Sequence, residues 1–436
     1  MTTRRSRLDR RSFLAFAGAA AASGTLPSGR ARAQTAQPFN ILGHRVHQLV
    51  ATEASRPGGD VTADWQTRNN RRIVWTTFDV TPIHDRLLRE LSLGETTFNL
   101  SYVLNTALNA RLLRQLEPLD PMQAADPIED FADISPGLVR ATQLEGSQRL
   151  IPVRHATVAL HYNEEILAER GITKPPETLE ELVETAHRCT YTRADGTAVN
   201  GFTMPGNSHF NLMSLAFGYD APLIDQDMRL LPNEAGFVQM FTTLRDLFQR
   251  GTLPRNWPGM QQEETFTQIQ NGRAAMVYSL FGRFQDFNDP QKSRVAGKIK
   301  VVPAVASASV RDRVPVVATS DFWSLAIPRN ARDKQLSWSL IRTLSSRDGA
   351  LRQALNGNGP IRASVYADQR FMAMTPYAAI EARVLPHARP PVPSFDRTQE
   401  AVDMLIQNGQ AVAIGRMTPA EAVADLKRRI APLLRG

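Results

Sequence analysis

One cysteine, Cys189, stands among the 436 residues, so no disulfide can close within the chain in any compartment. It falls on the apolar side of a predicted helix, where a lone thiol packs as a small hydrophobe. No cysteine follows the basic leader either, which excludes a lipid anchor at that point. Long apolar runs are equally scarce: nothing after the leader approaches the roughly 18 uninterrupted apolar residues of a membrane helix. Catalytic signatures are missing as well. The chain holds no G-x-S-x-G, no G-x-x-x-x-G-K-[ST], no H-E-x-x-H and no C-x-x-C, and Gly357-Asn-Gly359 lacks the third glycine of a dinucleotide fingerprint. His44 with His47, and His155 with His161, lack the convergent acids or thiols of a metal site. No cofactor is expected.

Excess charge is also absent once position is considered. The net charge of +8 owes most to residues 1–33, which hold seven Arg and one Asp; beyond them 44 basic side chains face 42 acidic ones. A polyanion-binding face needs clustered Lys and Arg. Lys427-Arg428-Arg429 is too short for one and reads as a solvated helix end near the C-terminus. Nucleic acid is therefore not an expected partner.

The leader itself is Arg10-Arg11-Ser12-Phe13-Leu14, an Ala/Gly-rich stretch, then Ala31-Arg32-Ala33. It resembles a twin-arginine export signal with a small-residue cleavage site over residues 1–33. The mature chain is expected to be a soluble, unanchored periplasmic monomer.

At this length two units are expected, because single cores stop growing well below it. Phe39–Gly43 and Arg72–Phe78 read as strands, and Ile83–Leu93 as a helix with Leu87, Leu88 and Leu91 along one side. Strand and helix alternate, which predicts an α/β architecture with a largely parallel sheet. Thr178-Leu-Glu-Glu181 and Thr418-Pro-Ala-Glu421 have the hydroxyl and Glu spacing of capping boxes. Asn163–Gly171 predicts a short helix with acids at its positive end and a glycine stop. Leu385–Ser394, rich in proline, reads as a rigid connector with no helix in it.

The segment Thr267–Phe284 is the most informative. A helix ends at Asn271-Gly272, an apolar strand runs from Arg273 to Tyr278, and Ser279–Phe284 follows at the strand's C-terminal edge, where open α/β sheets bind ligands. Trp75, Tyr102, Phe281, Phe284 and Trp323 all fall near predicted strand ends. Flat ring faces there suit the apolar C–H faces of a sugar.

Four blocks, in order, carry a resemblance to a known family: Ile151–Ile172 with its Tyr162-Asn163 and short helix, Pro175–Leu182 with Leu179 where a Trp is usual, Phe266–Met276, and Gly415–Val423. Together they resemble the extracellular solute-binding proteins, family 1, of ABC importers. The resemblance implies a periplasmic-binding-protein-like fold: two α/β lobes, hinge strands crossing between them, and an interlobe cleft that closes on a ligand. On that basis the N-terminal lobe comprises 34–153 plus 319–363 and the C-terminal lobe 154–318 plus 364–436. Crossings are expected near Val153–Thr157, Pro315–Thr319 and Asn358–Ala363. Carried over by position, the candidate ligand contacts are His44, Tyr102, Asn105, Arg154, His155, Asn207, Phe281, Arg283, Asp321 and Trp323. The implied function is capture of a carbohydrate or related polar solute and its delivery to the ABC permease. Alternatives are a secreted cofactor-dependent enzyme or hydrolase, or a binding protein serving a chemosensor. Asn and Arg standing where the family has acids point to a solute that carries or tolerates negative charge.

Overall fold

The computed structural model describes residues 37–435, so the expected export signal lies outside the described residues. In chain order the strands are β1 (Gln37–Gly43), β2 (Arg71–Thr77), β3 (Leu100–Leu104), β4 (Gln143–Leu144), β5 (Ser147–Gln148) and β6 (Ile151–Asn163). There follow β7 (Tyr191–Thr192), β8 (Ala198–Thr203), β9 (Ala274–Leu280), β10 (Ile299–Pro303) and β11 (Ser320–Ala326). All but the β4–β5 hairpin join one sheet in the order β2-β1-β3-β11-β6-β9-β8-β7, with β10 also on β6.

The sheet is mixed. Its β2-β1-β3 end and the β8–β9 pair are parallel, as the alternating pattern predicts, but β11, β6 and β10 bring antiparallel pairing to its middle. The reason is β6. Its first half, Ile151–Thr157, pairs with β11, and its second half, Val158–Asn163, pairs with β9 and β10. One strand of 13 residues is thereby shared by two hydrophobic cores.

The first core gathers Phe39, Trp65, Leu100, Val153, Phe322, Trp338 and Tyr366; the second gathers Leu160, Phe202, Phe237, Phe241, Trp257, Leu405 and Leu426. Side chains of this size each contribute about 1.5–3 kcal/mol when fully buried. Local sequence sets the helices that cover them. Asn163 Oδ1 caps Glu164–Glu169 by accepting from Glu165 N at 3.0 Å, and Thr418 with Glu421 forms a full capping box on Pro419–Ile430. Lys427, Arg428 and Arg429 close that helix, each paired with an acid, Glu234 for the first and Asp425 for the other two. Gly272 has φ +65° after the helix Gln262–Gln270, a left-handed turn that suits glycine.

Three segments pass side by side between the cores. The first is β6. The second leads into β11: Val317 packs in the second core and Phe322 in the first. The third is not Asn358–Ala363. That stretch stays with the first core because Arg362, fully buried there, donates to the carbonyls of Ser345, Asp130 and Glu129 at 2.8, 2.9 and 2.6 Å. The chain instead crosses at Arg389, whose N–H donates to Ala318 O and whose carbonyl accepts from Ser320 N; Ala388 packs in the first core and Val392 in the second. Val365, Tyr366, Phe371, Ala378 and Leu385 accordingly pack with the first core, where the sequence reading had assigned 364–436 to the C-terminal lobe. The proline-rich connector contains this crossing, and it opens with one 3₁₀ turn, Leu385–His387, in place of fully extended chain.

Candidate functional site

Antiparallel register decides which side chains share a face. Trp323 lies opposite Arg154, and Asp321 opposite Ala156. These four therefore share one face, while His155, Thr157, Ser320 and Phe322 occupy the other. Two adjoining cavities lie beside this strand pair and have Ala156 and Leu280 in common.

The larger cavity, about 590 Å³, is lined from the first core by Val46, Arg56 and Asn356–Pro360, from the far side by Gly282, Arg283 and Asp286, and beneath by Tyr377 and Glu381. The smaller, about 260 Å³, is lined by Asn207, Ser208, Phe210, Phe266, Ser279 and Asp321. Arg154 is half-buried, and its Nη1 donates to Asn358 Oδ1 at 3.1 Å. Arg283 is committed: its guanidinium lies 4.8 Å above the Phe266 ring and 3.0 Å from Asp286 Oδ2. Asp321 accepts from Asn105 Nδ2 at 3.2 Å, while Asn105 Oδ1 accepts from Phe322 N at 2.8 Å. Burial raises the Asp321 carboxyl to about 6, so it is largely ionised only above that pH. Asn207 reaches Gln261 Oε1 at 2.7 Å across the mouth of the smaller cavity.

Trp323 heads a ring cluster. His47 meets it edge-on at 4.6 Å, His84 stacks at 6.1 Å and His44 lies at 6.4 Å. His84 is held down to about 4 and His47 well below its usual value, both chiefly by burial, so these two imidazoles are neutral at pH 7 and act as packing rings. His44 is a helix cap: its Nδ1 accepts from Val46 N, and its own N–H donates to His47 Nδ1. Among the described residues no three metal-ligating side chains converge.

Several predicted contacts are buried in the cores or already bonded within the protein. Phe281 is buried at 1 % exposure in a small core with Ala159, Val301, Val384 and Tyr377, and it lines neither cavity. Tyr102 is sealed between His47, stacked at 4.0 Å, and Trp75, so its ring is not free to stack on a ligand. His155 turns away from the shared face of Arg154. Its Nδ1 meets Thr157 Oγ1 and its Nε2 meets Tyr366 Oη, both at 2.8 Å, leaving neither nitrogen for a ligand. Its neighbour Glu381, 3.7 Å away, is not an ionic partner at pH 7, because burial pushes the imidazole down to about 3 and the carboxyl up to about 8. Of the predicted contacts, Arg154, His155 and Arg283 line the larger cavity and Asn207 and Asp321 the smaller; Trp323, opposite Arg154, and Asn105, buried against Asp321, line neither. The sequence reading missed Arg56, Asn358, Tyr377 and Glu381. The expected crossing near Asn358–Ala363 pointed to that region, and Gly359 makes a close backbone approach there: a Cβ on it would lie 2.2 Å from His155 O.

Sequence comparison matches residues 102–351, more than half of the chain, to the family described as bacterial extracellular solute-binding protein. The chain belongs to that family. Its members are binding proteins, not enzymes, which removes the hydrolase and cofactor-enzyme alternatives. A curated relative, the erythritol/L-threitol-binding protein of Mycolicibacterium smegmatis, is 22 % identical over 276 residues, 58 % of this chain and 56 % of its own length. This solute-binding protein thus spans little more than half of that relative. Among solved structures, MalE from Xanthomonas citri superposes with a TM-score of 0.77 at 21 % identity, covering 92 % of this chain and 98 % of its own. The maltose-bound MalE3 of T. maritima gives 0.73 at 20 % identity over 91 % and 100 % of the two chains. A solute-binding protein of Agrobacterium radiobacter in complex with ribitol gives 0.73 at 19 % identity over 91 % and 98 %. These likenesses establish the two-lobed periplasmic-binding-protein fold. Among the described residues no helix is long and apolar enough to cross a membrane.

Proposed function

We propose that this chain is exported through the twin-arginine route and works in the periplasm as an unanchored monomer. There it closes its two lobes on a polyhydroxylated solute of the sugar or polyol class and hands it to the membrane permease of an ABC importer. The observation that carries the reading is the shared face of β6 and β11, where Trp323 and Asp321 stand beside Arg154 between two hydrophobic cores. A ring face there packs on C–H groups, worth roughly 1 kcal/mol, and Asp321, held in place by Asn105, and Asn207 offer an acceptor and a donor to hydroxyls that lose water as the lobes close. The relatives' ligands, erythritol or L-threitol, ribitol and maltose, fall in the same chemical class. Lobe motion is natural here, because among the described residues the chain passes between the two large cores in three crossing segments.

A thermal-shift screen against sugars and alditols tests the reading. A solute at 100 times its dissociation constant adds about 2.7 kcal/mol to folding stability. Stabilisation by members of this class, weakened by Trp323→Ala and by Asp321→Ala, is the expected result. No shift with any sugar, alditol or their acids would overturn it.

A further inference from the structure

We infer that the solute is a polyhydroxylated acid whose carboxylate seats on Arg154 in the larger cavity. The inference rests on the solute-binding reading above and narrows it. Arg154 enters none of the ion pairs among the described residues, and one hydrogen bond to Asn358 leaves its other donors without a protein partner. They are not sealed away either, since none is among the fully buried polar atoms that lack partners, unlike the Tyr102 hydroxyl. Desolvating a guanidinium without an anion is costly. Burial lowers the Arg154 pKa, with Tyr102 and Tyr377 opposing that shift and Arg283 adding to it.

The remaining charges do not cancel it. The cavity holds Arg56, Arg154 and Arg283 against Asp286 and Glu381. Asp286 already has Arg283 at 3.0 Å and Lys292 at 2.7 Å. Glu381 stays protonated at pH 7, its carboxyl raised to about 8 by burial, and His155 stays neutral. Arg56 donates to the Asn356 carbonyl at the cavity wall. Arg154 offers its fork to a carboxylate, which accepts two parallel N–H bonds from it, and Arg56, likewise in no ion pair among the described residues, adds a second positive charge to the same cavity. The hydroxylated remainder would run past Ala156 and Leu280, common to both cavities, toward Asp321 and Asn207.

Calorimetric titration of the full chain at pH 7.5 with matched pairs, ribitol against ribonate and mannitol against mannonate, together with mannitol 1-phosphate, tests this. We expect at least one aldonate to bind on the order of tenfold tighter than its alditol. The advantage should shrink in high salt, and Arg154→Gln should bring the ratio close to one. Equal or tighter binding of the alditols overturns the inference while leaving the sugar and polyol reading intact. Preference for the phosphate ester over both overturns the carboxylate assignment, and binding of none of the probes removes the broader reading with it. Should Arg154→Gln fail to fold, the wild-type ratios alone decide.

Discussion

Asp321 is a half-buried carboxyl whose only side-chain hydrogen bond comes from Asn105, at 3.2 Å. Burial raises it from the ordinary 3.8 to about 6, roughly two units, at 1.36 kcal/mol per unit a ceiling of about 3 kcal/mol. Access of solvent at the cavity mouth reduces this to about 1–2 kcal/mol. The folded protein holds the proton to a higher pH than the unfolded chain does. Its contribution is therefore fully present below about pH 4, is lost as pH rises toward 6, and stays lost above that. Asp321→Asn keeps the shape and an acceptor for Asn105 but has nothing to ionise. Melting wild type and variant across pH 4–8 without solute should give coincident curves at pH 4 and a growing advantage for Asp321→Asn toward pH 7, on the order of 2 °C. The same substitution should weaken solute binding, since an anionic acceptor for hydroxyls is lost. A pH-independent difference, or a variant less stable at every pH, would refute the view that Asp321 is held ionised against its surroundings for the sake of the ligand.

Three further outcomes follow from the same geometry. Glu381→Gln should gain on the wild type between pH 4.5 and 8 and keep a constant lead above, by more than Asp321→Asn because Glu381 is more deeply buried; parallel melting profiles would contradict its raised pKa. Gly359→Ala places a methyl 2.2 Å from the His155 carbonyl oxygen, so β6 or the 358–360 stretch must move, and a loss of several kcal/mol in melting experiments is expected. An unchanged melting temperature would show that the two backbones are not in contact. Cys189, fully buried with its thiol raised to about 11, should react with a thiol reagent only on unfolding; rapid labelling of the native protein would place it at the surface.

Much of the local structure was legible from residue types alone. Asn163 and Thr418 announce helix starts because their side chains satisfy backbone donors nearby, and Asn271-Gly272 stops a helix because glycine accepts the left-handed turn. Four blocks in order sufficed for the family. The mixed middle of the sheet was not legible, since strand direction depends on partners far along the chain.

The sequence by itself determined the elements, the absence of disulfides and catalytic motifs, and membership of a solute-binding family, all of which rest on interactions within a few residues or on patterns in the chain. Tertiary structure alone decided that Arg154 shares a face with Asp321 and Trp323 while adjacent His155 turns toward Tyr366, and that the third crossing runs through Arg389 and not through Arg362. The physical reason is register. Strand side chains alternate every residue, so which face a residue takes is set by pairing with β11, more than 160 positions away, and no local property of Arg154 or His155 distinguishes the two choices.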